Sequence, residues 1–269
     1  MAFWDKIQST GDVEDRRGSS GVATGIGSIG AVIVVGVLMF AGGADSSQIT
    51  KFVTDSLQTQ NTNQSEFVDT KNYKQFAQRI IGSNNEIWSR ELKTQGIEYQ
   101  KPKLVLFRGQ TNSGCGGADS QTGPHYCPND QTIYLDETFF EELKTRFGAQ
   151  GGEVAESYVM AHEVGHHVQK VLGTFNKVNT RNNQNSVKVE LQADCYAGLW
   201  AGNIKEEGII NESEISQAID AAASVGDDRI QKATTGSVNP ETWTHGSSEQ
   251  RKQAFLKGYQ TKSFSQCNF

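Results

Sequence analysis

Ala161-His162-Glu163-Val164-Gly165-His166-His167 is the stretch on which the reading of this chain turns. His162 and His166 are four residues apart, so on a helix both imidazoles project from one face, one turn apart. That is the spacing of two zinc ligands, and Glu163 stands at the shoulder of such a site, where a carboxylate takes a proton from water without binding the metal itself. The surroundings are helical: Glu153, Val154, Ala155 and Glu156 open the run, apolar residues recur at Tyr158, Val159, Val164, Val168, Val171 and Leu172, and Gly173 closes it. Three of the five histidines of the chain fall in this stretch. His167 points about 100° away from His166 and is expected to flank the site rather than bind metal.

A hydrolytic zinc site needs a third protein ligand and one open position. Downstream, Val187-Lys188-Val189-Glu190-Leu191-Gln192-Ala193-Asp194-Cys195-Tyr196-Ala197-Gly198-Leu199-Trp200 reads as a largely buried helix with two carboxylates again four apart. Acids on such a helix need partners. Glu190 is assigned as the third ligand, and Asp194 as the acceptor that holds the remote nitrogen of a liganding histidine; the reverse assignment is the competing one. In Thr244-His245-Gly246-Ser247-Ser248-Glu249-Gln250-Arg251, Ser247 and Gln250 form a capping box. That leaves His245 free to stabilise an oxyanion and Arg251 to pair with a buried carboxylate, against a purely structural reading of His245.

The net charge is −6 and no stripe of Lys or Arg is present, which argues against a nucleic-acid partner. From Gly18 to Ala44 there is no charged residue, enough for the roughly 20 apolar residues of a membrane span. The expected organisation is a cytoplasmic tail (1–20), a transmembrane helix (21–43), a polar stalk (44–68) and an extracytoplasmic domain (69–269). Lys6, Arg16 and Arg17 precede the span and no basic residue follows until Lys51, so the N-terminus is expected in the cytoplasm. A signal peptide cleaved near Gly42-Gly43-Ala44 is the competitor. Gly21 and Gly25 could support a homodimer through the span.

Tyr73, Phe76, Ile80 and Ile81 suggest a helix, and Ile87, Trp88 and Leu92 a second one after Gly82. Lys103-Leu104-Val105-Leu106-Phe107 and Thr132-Ile133-Tyr134-Leu135 read as strands around a Gly-rich loop, and a strand just upstream of a zinc-binding helix is where an extended substrate would pair. Phe139, Phe140, Leu143 and Phe147 mark a helix ending at Gly148. Outside the cytoplasm the four cysteines are most simply two disulfides, and Cys115–Cys127 with Cys195–Cys267 is the least contorted connectivity. A structural zinc site is the rival, without Cys-x2-Cys spacing to support it.

These residues together resemble the bacterial neutral zinc metallopeptidases, a membrane-anchored zincin family. The resemblance runs through Val13-Glu14-Asp15-Arg16-Arg17-Gly18, the Gly-rich span, Cys115 to Pro128, His162 to His167, Glu190 to Cys195, Gly226-Asp227-Asp228-Arg229 and Thr244 to Ser248. The stretches Glu190 to Asp194 and Thr244 to Arg251 also resemble the Ste24/HtpX-type membrane peptidases, which implies Glu190 as ligand. The expected fold is α+β, a mainly helical zincin-like domain with a small sheet behind one transmembrane helix. The expected function is peptide hydrolysis of the gluzincin type, with one Zn2+ per chain on His162, His166 and Glu190, Glu163 as general base, and a peptide or protein as substrate. The alternatives are an idle zincin module that binds envelope proteins and a zinc hydrolase of cell-wall amides.

Overall fold

The computed structural model describes residues 2–17, 72–119 and 122–269. The expected span (21–43) and stalk (44–68) lie outside the described residues. Among the described residues no helix is long and apolar enough to cross a membrane.

The fold is α+β and mainly helical. Strand β1 (Asp12–Asp15) comes from the N-terminal segment, and helix α1 (Tyr73–Thr94) begins the remainder. Strands β2 (Lys103–Leu106), β3 (Gln110–Ser113), β4 (Gly116–Asp119), β5 (His125–Cys127) and β6 (Thr132–Leu135) follow. Seven helices then complete the domain: α2 (Phe139–Phe147), α3 (Glu153–Val171), the short α4 (Thr174–Lys177), α5 (Asn183–Glu206), α6 (Glu212–Ser224), α7 (Asp227–Thr235) and α8 (Ser248–Thr261).

The main sheet has the order β1-β2-β6-β5, with β1, β2 and β6 parallel and β5 antiparallel at the edge. Leu104, Val105 and Leu106, and all four residues of β6, are buried, which is the continuous apolar pattern of interior strands. The two strands considered for substrate pairing are therefore occupied on both sides, and the edge strand next to the histidine helix is β5. The Gly-rich loop is more ordered than its composition suggests. It forms the β3–β4 hairpin, tied by the Cys115–Cys127 disulfide to β5.

Two expectations about the N-terminal half change. Residues 2–17, expected as a tail apart from the domain, contribute its first strand and belong to the same compact unit as residues 74–269. Gly82 does not divide two helices, because α1 runs through it for 22 residues. A glycine inside a helix costs about 1 kcal/mol relative to alanine. Here the apolar face made by Phe76, Ile80, Ile81, Trp88 and Leu92 is fully buried and outweighs that cost.

The helical layer is held closest where α8 crosses α5. A Cβ on Gly198 would lie 2.0 Å from the Phe255 carbonyl oxygen, and one on Gly258 would lie 1.8 Å from that of Cys195. Each helix thus offers a glycine to the backbone of the other. Ser247 caps α8 through the box expected with Gln250, and Gly148 and Gly173 follow α2 and α3 in the left-handed conformation. Substitution of Gly258 by Ala is expected to destabilise the domain by about 1–3 kcal/mol. Thermal melting should show a clear fall, while Gly117→Ala, where a Cβ meets nothing within 4 Å, should melt close to the parent.

Candidate metal centre

Helices α3 and α5 pack so closely at Gly165 that a Cβ there would lie 3.0 Å from the Ala193 backbone. This approach sets the turn bearing His162 and His166 against the turn bearing Glu190 and Asp194. His162 Nε2 lies 3.2 Å from Glu190 Oε2, and His166 Nε2 lies 3.4 Å from Glu190 Oε1. Ligand atoms of the three residues fall within 4.8 Å of one another, so the three expected ligands converge.

Both imidazoles are turned inward by partners at their other nitrogen. His162 Nδ1 donates to Asp194 Oδ1 at 2.8 Å, and His166 Nδ1 donates to Gln169 Oε1 at 2.9 Å. With Nδ1 so engaged, each ring turns its Nε2 toward Glu190, the nitrogen a cation would take in exchange for a proton. Asp194 is fully buried and also accepts from Tyr158 Oη at 2.6 Å, Arg251 Nε at 2.8 Å and Arg251 Nη2 at 2.9 Å. Asp194 thus stands behind His162, and Arg251 has the buried carboxylate expected for it.

Gln169 was not foreseen from the sequence. It is fully buried, and its Nε2 donates to Val189 O at 2.7 Å and to Gln192 Oε1 at 3.1 Å. Gln192 Nε2 donates in turn to Cys267 O at 2.8 Å, beside the Cys195–Cys267 disulfide. The signal was present as His166 and Gln169 three apart on one helix face, but glutamine is so common on helices that spacing alone does not single it out. Asp227 was noted only within a turn. It accepts the backbone N–H groups of Thr244, His245 and Gly246, and its Oδ1 takes His245 Nδ1 at 3.1 Å.

The remaining histidines stay outside the cluster. His167 is fully buried, accepts from Tyr126 Oη at 3.0 Å and bonds the Gln100 carbonyl, so it clamps β5 to α3. His125 stacks on Tyr134 with 5.4 Å between ring centroids.

Charge in the site is tightly balanced. Burial works against a proton on His162, but Asp194 and Glu190 outweigh it and raise its pKa to about 10. Burial raises Glu190, yet His166 and His162 hold it well below the usual carboxylate range. A cation that takes His162 Nε2 therefore displaces a proton, so its binding weakens in acid. Two imidazoles and one carboxylate make a donor set suited to Zn2+. A second observation fits the same group. Glu163 is buried next to the cluster and its Oε2 has no hydrogen-bond partner among the described residues, an orphan that water activated at the site would satisfy.

The description "Putative neutral zinc metallopeptidase" covers a family that matches residues 2–269, and the chain belongs to that family. The uncharacterized protein YpfJ of Escherichia coli K12 is 37% identical over 284 residues, covering 98% of this chain and 97% of its own. An uncharacterized protein of Mycobacterium tuberculosis H37Rv is 49% identical over 176 residues, covering 61% of this chain and 60% of its own. No solved structure matches.

If Gln169 fixes the tautomer of His166, Gln169→Ala should weaken zinc binding about 10- to 100-fold. Chelator competition measures this, with circular dichroism unchanged; parent-like zinc retention would remove Gln169 from the site.

Proposed function

We propose, with that family membership as the premise, that the chain is a peptidase of the gluzincin type whose centre is His162, His166 and Glu190, with Glu163 as general base. The observation that carries the proposal is the orphaned Glu163 Oε2 beside three convergent donors. Zn2+ bound there supplies Lewis acidity, lowering the pKa of water toward roughly 7 and polarising a carbonyl.

The protein's own groups do the rest. Glu163 takes the proton of the attacking water and returns it to the leaving amine. Asp194 and Gln169 keep both histidines in the liganding tautomer, so no reorganisation is needed during turnover. Arg251 neutralises Asp194, whose carboxylate is held low despite burial. His245, half exposed, donates to the oxygen that gains charge as the carbonyl is attacked. Partial desolvation opposes a proton on His245, but the hydrogen bond to Asp227 and the charge of Glu190 raise its pKa above the ordinary value.

The substrate is a peptide or protein in extended form, paired with the outer edge of β5 rather than with β2 or β6. The support is the antiparallel edge position of β5 and its link through Tyr126 to His167, one residue from His166. Two disulfides support work on the oxidising side of a membrane, which the chain meets through its uncharged stretch.

Replacement of Glu163 by Gln is expected to leave zinc content unchanged and to lower peptide hydrolysis by about 10²- to 10⁴-fold. Zinc analysis beside a casein or peptide assay reads both, and full activity in the variant would sink the mechanism. Zinc in both proteins with cleavage by neither would favour an idle binding module. A second expectation follows from the sign of the His245 shift. Its proton is lost as pH rises through a raised pKa, and Asp227→Asn removes the group that raises it. The alkaline limb of kcat/KM against pH should therefore move to lower pH in Asp227→Asn; an unmoved limb would exclude His245 as the group seen there.

A further inference from the structure

The N-terminal segment is fitted to the domain from both sides. Strand β1 lies parallel to β2 in the register Asp12↔Lys103 to Asp15↔Leu106, continued by Arg16 N–H to Leu106 O at 2.8 Å. Phe3, Trp4, Ile7 and Val13 are buried, with the Trp4 ring 5.9 Å from that of Phe76. Lys6 Nζ donates to the carbonyls of Gly208 and Ile209 at 2.9 and 3.2 Å. Two glycines make the contact possible. A Cβ on Gly11 would lie 2.3 Å from Ile81, and one on Gly82 would lie 2.5 Å from the Ser9 carbonyl carbon. Gly82, in mid-helix, is thus explained by the passage of the N-terminal backbone over it.

We propose that residues 2–17 and the domain 74–269 stand on the same side of the membrane, so that the uncharged stretch 18–44 meets the bilayer without carrying the N-terminus across it. A single crossing would put Arg17 and Asp45 on opposite faces of a hydrocarbon layer about 30 Å thick. Strand pairing demands hydrogen-bond contact, so the crossing and β1 exclude each other. A second copy of the chain cannot supply the strand across a membrane either, because its own N-terminus would be on the far side as well.

The charges that suggested a cytoplasmic N-terminus are used within the fold. Arg16 Nε pairs with Glu14 Oε1 at 2.7 Å, and Arg17 Nη2 with Asp15 Oδ2 at 2.7 Å. Arg17 Nη1 also reaches Glu137 Oε1 at 3.1 Å, where both side chains are under 10% exposed, at 9% and 6%. Basic residues matched by neighbouring acids in a folded strand are a weak topological signal, whereas the contacts of β1 are specific. The two disulfides make the shared side the oxidising one. None of this depends on whether the site cleaves peptides.

The test uses the full chain in bacterial membranes, with one cysteine added at an exposed position of each part: Thr10→Cys or Gln8→Cys in the segment, and Glu207→Cys in the domain. A membrane-impermeant maleimide is applied to spheroplasts before and after permeabilisation. The expected result is the same ratio of labelling before and after for all three positions, near 1. Labelling of Glu207→Cys in intact spheroplasts with Thr10→Cys and Gln8→Cys reached only after permeabilisation would overturn the proposal. Equal protection of all three until permeabilisation would keep the shared side and overturn its assignment to the oxidising face. Recovery of the chain free of membranes would overturn the proposal, because no side would then be defined.

Discussion

The carboxylate of Asp194 is the constraint around which the rest of the domain is arranged. It is completely buried, and donors reach it from α3 (Tyr158, His162) and α8 (Arg251), while it sits on α5. Burying a carboxylate and a guanidinium costs several kcal/mol each, and only good geometry with every remaining donor satisfied repays that. Arg251 meets the requirement in bidentate form and places its third nitrogen on Val225 O at 3.2 Å. Loss of either partner would leave a charge with no water near it. The three helices are thus held at one mutual orientation, and the Nε2 of His162 is aimed at Glu190 by the same bonds that close the core.

The glycine contacts express this constraint in the backbone. Gly165 lets α3 approach α5, and Gly198 and Gly258 let α5 and α8 touch. With methyl groups there the helices would stand further apart, and Arg251 would no longer reach Asp194. Close packing of backbones and satisfaction of a buried ion pair are therefore one requirement rather than two.

What could be read in the sequence follows from periodicity. Pairs four apart, His162 with His166 and Glu190 with Asp194, needed only helical geometry to be placed on one face, and the structure brings them together. The cysteine pairing was legible because it followed from so few alternatives, and the interior strands because their apolar runs were unbroken. Gln169 and Asp227 were not legible as partners of the site, since their roles depend on groups far away in the chain: Gln192 and Cys267 for one, the loop around His245 for the other. Gly82 was misread for a related reason. A glycine in a helical pattern signals an end when only local conformation is considered, but here it marks where a distant backbone passes. The N-terminal strand was hidden because Asp12 to Asp15 has neither alternation nor an apolar run, and its place is fixed by an edge of β2 that lies some 90 residues later.

The relay from His166 through Gln169 and Gln192 to the Cys267 carbonyl bears on how the site comes into being during synthesis. His162, His166 and Glu190 leave the ribosome well before Arg251 and Cys267, so both helices that bear them, α3 and α5, are translated while the groups that brace them are not. Until then Asp194 lacks the Arg251 guanidinium and the Gln192 amide lacks the Cys267 carbonyl. A newly made chain thus carries the three converging side chains before the groups that orient them, and the arrangement is complete only once the chain has been extended past residue 267.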